Sequence, residues 1–450
     1  MIKIKDRDFY KTLLVIAVPC ALQNLITIAV SLADTIMIGS LGQSPLSAVT
    51  LASQIGFLFY MFSLGISGGV TAMIPQYWGV KNITAIKKVF SLVLKITALL
   101  SIIFFTVSFF LSKQLLSIFT KDIELINIGS DYLQIFAFTF LVYGFTTVLM
   151  VSFRAVETTR ISLIISISTL FVNVFLNWVL IFGNLGFPAL GAKGAAIATL
   201  IARIIEFIIM TIYLFFIDKK IKFKLYDLLN HDIAIFKKFI SYGSPVIINE
   251  CMWSLAITFQ TVVFGRLGAD AVAANSIMSV VSQLSTVVMF GVANAAAVII
   301  GKTIGQENVM LAQQRAKKVK IISIILGILC CIVVLLIKDI FVDFYNIPDT
   351  TKELARNLMS ANAFLLLFIS PSAMFIIGIL RGGGDTKFAL KIELSSLWLV
   401  SIPLAAIFGL YLNFPVVIVF LLMKLDEPIK AIGCFIRTRN SKWIKDITKS

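Results

Sequence analysis

The sequence predicts an all-α membrane protein with twelve transmembrane helices in two six-helix lobes, related by a pseudo-two-fold axis along the membrane normal. Three observations predict it: apolar runs along the whole chain, basic residues gathered on alternate connectors, and an internal repeat that lays one half on the other. The 450 residues are 59% hydrophobic and 14% charged, with 38 Phe and a mean hydropathy of +0.98. That is too apolar for a surface facing water. Lipid offers nothing to bond an open backbone N–H or C=O, so each run of about 20 apolar residues is read as a spanning helix.

Taken in order, the runs start near Thr12, Ser47, Val89, Ile128, Ile161, Gly194, Phe239, Val272, Ile321, Leu358, Leu390 and Phe414. The first follows MIKIKDRDFYK, exceeds the length of a cleavable signal core and lacks a closing A-x-A-like site, so it is expected to remain as a span. An even number of spans puts both termini on one side. Lys and Arg favour the connectors on that side by roughly four to one, which predicts both termini in the cytoplasm of a multi-pass plasma (inner) membrane protein. The same bias accounts for the net charge of +16 without nucleic acid as a partner. Cys20, Cys251, Cys330, Cys331 and Cys434 fall in apolar stretches without metal-ligand spacing and are read as packing residues.

The second half restates the first. One gapless shift places Pro19 on Pro245, Gly39 on Gly265, Gly42 on Gly268, Gly65 on Gly291, Gly79 on Gly305 and Asn82 on Asn308; one residue further on, Arg154 falls on Arg381. Apolar sequences match Leu and Ile by chance, but not prolines and glycines in register. Copies of six spans enter the membrane in the same direction. The charged linker over residues 218–238 marks the boundary between an N-lobe, 1–225, and a C-lobe, 226–450. A duplicated polytopic chain without a Walker motif is most simply an ion-driven transporter.

Ionisable side chains at membrane depth are costly unless paired or hydrated, so each is a functional candidate. Asp34 lies in the outer part of the first span, where a headgroup-level carboxylate is the plain alternative. Glu250 lies near mid-depth in the seventh. Asn173 and Asn177, one turn apart in the fifth, share a face; their amide oxygens could help coordinate Na⁺ or hold a protonated carboxyl, or simply bond between helices. Arg203 and Glu206 have the spacing of a mutual ion pair, Thr199 is a further polar candidate, and Lys95 can snorkel. Pro19, Pro245 and Pro371 interrupt helix bonding and are candidate hinges or fixed bends. His231, in the Lys-rich linker, is expected to be solvated. No His, Cys or acidic cluster has metalloenzyme spacing, and no acidic pair suits Mg²⁺, so an enzyme is not expected.

TIMIGSLG with LSAV after Asp34, SPVIINE with GRLGADAVAANSI, FRAVETTR, LRGGGDTK and the tail RTRNSKWIKDIT together resemble the multidrug and toxic compound extrusion (MATE) family, of NorM-like type. The resemblance covers essentially the whole chain. It implies export of amphipathic organic cations and other drugs in exchange for inward Na⁺ or H⁺, with no other cofactor. It also implies that Asp34 lines an N-lobe cavity with Asn173, Asn177 and Thr199, and that Glu250 is the seventh-helix carboxylate of the C-lobe. The Na⁺ ligands would then be Asp34 and Asn177, while the hinge reading of Pro19 and Pro245 rests on proline's effect on a helix. Some members carry Asp where this chain has Asn177, and some carry a tenth-helix Asp where counting back from Arg381 gives Ser370.

The expected function is therefore secondary active multidrug antiport of small, often cationic molecules, by a monomer whose other contacts are membrane lipids. A flippase for lipid-linked saccharides is the alternative of related architecture, and a non-transporting receptor or scaffold a more distant one. A flippase calls for a cationic cavity to hold diphosphate, whereas the cavity candidates here are acidic or neutral.

Overall fold

The structure is a computed structural model that describes residues 2–345, 347–412 and 414–449. Eleven helices among the described residues are long and apolar enough to cross a membrane. In the first half these are α1 (Ile2–Gly39), α2 (Gln43–Gly79), α3 (Ile83–Phe110), α4 (Ile123–Ala155), α5 (Arg160–Phe182) and α6 (Ala192–Ile217). The second half supplies α7 (Ile233–Arg266), α8 (Ala269–Gly305), α9 (Val309–Asp343), α10 (Asp349–Arg381) and α11 (Thr386–Tyr411). The twelfth apolar segment forms the short helix α12 (Val416–Met423), followed two residues later by the amphipathic α13 (Asp426–Arg437).

Most helices begin well before their apolar runs. The ninth starts at Val309 rather than near Ile321, because AQQRAKKVK is built of good helix formers that carry the helix beyond the apolar part. An apolar window therefore locates the stretch at membrane depth and leaves the helix ends open. Asn82 and Asn308, equivalent in the repeat, each accept the backbone N–H three residues on, at 2.9 Å, and so start α3 and α9 alike.

The chain forms two compact units. One contains residues 22–70 and 82–237, the other residues 1–21, 71–81 and 238–450. In the first, α3 packs on α4, and α6 on both α4 and α5. An aromatic cluster holds it together: Phe59 and Phe140 lie 4.7 Å apart between ring centroids, and Phe104 meets both edge-on. The linker is tied to this unit by Lys87–Asp227 (2.9 Å), Lys88–Asp232 (2.8 Å) and Lys95, which donates to the Asn230 carbonyl at 2.8 Å. The Lys88 ammonium holds the Asp232 carboxyl below the usual carboxylate range. His231 lies 3.5 Å from Lys95.

The other unit is built on close helix approaches. A Cβ placed on Gly305 would sit 2.0 Å from the Gln76 carbonyl oxygen, and one on Gly79 would sit 2.3 Å from that of Lys302, so α2 and α8 cross backbone to backbone at two repeat-related glycines. Gly378 of α10 and Gly382, just past its end, press in the same way on Ala293, Ala296 and Ala297 of α8. After Pro371 the helix α10 widens into a π-helical stretch, Met374–Arg381, consistent with a ring that removes one rung of the bonding ladder. The C-terminal tail packs on this unit: Trp443 is fully buried against Gly383, and Gln76 bonds Lys445 and Ile447. All five cysteines are free thiols.

Candidate functional site

In the first unit a polar chain links α1, α5 and α6. Asn177 of α5 donates through Nδ2 to the Asp34 carboxylate of α1, and more distantly, at 3.3 Å, to Oδ1 of Asn173. Asn173 in turn donates to Thr199 Oγ1 of α6 at 3.3 Å. The one-turn spacing of the two asparagines, both buried, puts their amides on one face of α5. The structure thus brings Asp34, Asn173, Asn177 and Thr199 together. Asp34 is half-buried.

One step deeper, Arg203 and Glu206 pair at 2.6 Å, as their spacing suggests, and the guanidinium stacks on the Tyr143 ring at 4.0 Å. Asn177 Oδ1 is buried and has no partner. A carboxylate oxygen, this amide oxygen and the Thr199 hydroxyl are hard oxygen donors, the chemistry that suits Na⁺. An amide beside a carboxyl also suits H⁺: nitrogen donates to the charged form, and the turned amide accepts from the protonated one.

Glu250 lies in the other unit and is bonded to Arg381 at 2.7 Å. Arg154, the repeat counterpart of Arg381, makes a related contact with a neutral partner, donating to Gln23 of α1 at 3.3 Å, one residue before Asn24, the repeat counterpart of Glu250. The conserved geometry is an arginine at the end of the fourth helix of each repeat, reaching the first helix of that repeat. Nothing in the sequence pattern of Arg381 pointed to this pair.

Four further ionisable residues were missed. Glu393 of α11 is buried and accepts from Asn249 at 2.6 Å; Lys430 of α13 is buried between Asp426 (2.8 Å) and Glu427 (2.7 Å). Ser372 of α10 donates to Glu427, and Ser401 accepts the Asp426 backbone N–H at 2.7 Å. Lys430 stands among charged residues near the end of the sequence, and the structure buries it in a helix. The i,i+3 and i,i+4 spacing of Glu427 and Asp426 to Lys430 was the available signal.

The comparisons agree with this architecture. The MatE family model matches residues 19–179 and 245–407, one copy in each half. The uncharacterised transporter YisQ of Bacillus subtilis is 26% identical, with 92% of this chain and 90% of the relative covered. A probable multidrug resistance protein NorM of Thermotoga maritima is 24% identical, with 90% and 86% covered. Among solved structures, a mutant of the Vibrio cholerae MATE transporter VcmN superimposes with a TM-score of 0.89 at 17% identity, covering 99% of both chains. A MOP superfamily transporter of Pyrococcus furiosus gives 0.86 at 19%, covering 98% of this chain and 97% of the other. A twelve-helix, two-lobe membrane transporter is thus the class that fold and interior polar residues define. The chain belongs to the MatE family, whose members are transporters and not enzymes.

Proposed function

We propose that this chain is a secondary active exporter in the plasma membrane, with both termini cytoplasmic, exchanging small, often cationic, amphipathic organic molecules for inward Na⁺ or H⁺. The bond between Asp34 and Asn177 carries the reading: it sets an accessible carboxylate in a wall of amide and hydroxyl groups, where one negative charge can be claimed by a guest cation or by a driving ion. In the outward-facing state the arriving ion neutralises Asp34, the bonded helices α1, α5 and α6 readjust, and the substrate loses its counter-charge and leaves. Competition for one charge gives antiport without both ligands fitting at once.

The names of the multidrug relatives support the substrate class. Pro19 and Pro245 serve as hinges, and Glu250, held by Arg381, is the carboxylate of the second half. The test is efflux of a fluorescent cationic dye from vesicles, with Na⁺ and pH gradients imposed separately. Export driven by one of them supports the proposal. Movement of a lipid-linked saccharide with no effect of either gradient on the dye supports the flippase instead.

A further inference from the structure

We propose that the basic end of α9 and the C-terminal end of α13 form a binding site for the phosphodiester headgroup of an anionic phospholipid. Lys317 on α9 is exposed and is followed at helical spacing by exposed Ile321 and Ile324. On α13, exposed Ile432 and Ile436 lead in the same way to exposed Arg439, just past the helix. Each helix thus presents an outward apolar stripe that ends in a cation, the pattern of a surface crossing from acyl chains to headgroups.

Lys320 joins the two stripes. Its ammonium donates to the Thr438 carbonyl at 3.1 Å and lies 4.9 Å from the Phe435 ring centroid, which leaves donors for a further acceptor. The charges acting on it are those of Lys317 and Arg439, all of one sign. Among the described residues no carboxylate pairs with any of the three, while neighbouring Arg437 is taken by Asp385 at 2.8 Å. Three gathered cations without a counter-charge are complementary to an anion with several acceptor oxygens. The apolar stripes below them select an anion that carries acyl chains over free phosphate.

The test uses the full chain in detergent micelles, titrated with phosphatidylglycerol, phosphatidylcholine or inorganic phosphate, with bound lipid counted by native mass spectrometry and the unfolding midpoint followed in parallel. Phosphatidylglycerol should bind and raise the midpoint, while the other two leave it unchanged. Lys317→Gln with Arg439→Gln, both exposed and free of packing, should weaken binding by about fivefold per cation removed. Lys219→Gln with Lys222→Gln, elsewhere on the surface, should leave it intact. Equal binding by the wild type and the first double variant, equal losses in both double variants, or full stabilisation by phosphate alone would each overturn the proposal. Dye export is read separately, so the transport reading stands or falls apart from this result.

Discussion

Asp34 and Glu250 are both carboxylates at membrane depth, and their partners make them different. Asp34 is met by a neutral amide, so its charge is only partly satisfied, whereas Glu250 faces a guanidinium at 2.7 Å. Breaking a largely buried pair strands a charge, so Glu250→Gln should cost about 3–5 kcal/mol of stability, with much of it recovered in the Glu250→Gln/Arg381→Gln double variant. Unfolding midpoints of the four proteins in detergent measure this, and a fully additive double variant would show that the two side chains do not interact. Asn173→Leu should cost about 1 kcal/mol, the worth of an interhelical bond in a membrane, through loss of the Thr199 contact. Asp34, Asn173 and Asn177 were legible in the sequence because polar residues stand out within apolar runs. Glu393 and Lys430 were not: each lies beside other polar residues that look like a connector, and only tertiary packing buries them.

At the scale of the helix, the repeat identified which glycines recur but not why. Gly305 and Gly265 both match a glycine of the first half, yet a Cβ on Gly305 meets a carbonyl oxygen at 2.0 Å while one on Gly265 meets nothing within 4 Å. Gly305→Ala should therefore lower stability by about 1–3 kcal/mol through forced separation of α2 and α8. Gly265→Ala should be neutral or gain up to about 1 kcal/mol from helix propensity. Parallel thermal unfolding of the two variants decides it, and equal effects would contradict the close crossing. Helix number and order were readable from hydropathy because the bilayer imposes length. The helix α13 was not, since DEPIKAIGCFIR carries four charged residues among twelve and reads as a tail rather than as part of a span.

Across the whole molecule, one gene duplication accounts for the shared arginine contacts and the paired Asn caps, while the polar interiors have diverged. One unit keeps a partly exposed carboxylate among amides; the other buries a network of acids and bases that satisfy one another. Compactness also departs from sequence order, since residues 1–21 and 71–81 pack with the second half of the chain. Gln76 shows what holds α2 there, through bonds to Lys445 and Ile447 of the tail. Such long-range partners leave no periodic trace. Trp443→Ala, which empties the buried slot against Gly383, should cost about 3–5 kcal/mol and loosen the tail, seen as faster proteolysis after residue 439.

The most direct measurement of the central claim is gradient-driven export by Asp34→Asn in proteoliposomes, with the wild type reconstituted beside it at equal density. The variant should fold, still bind a neutral guest, and lose ion-driven export of a cationic dye. Undiminished export by Asp34→Asn under the same gradient would contradict it.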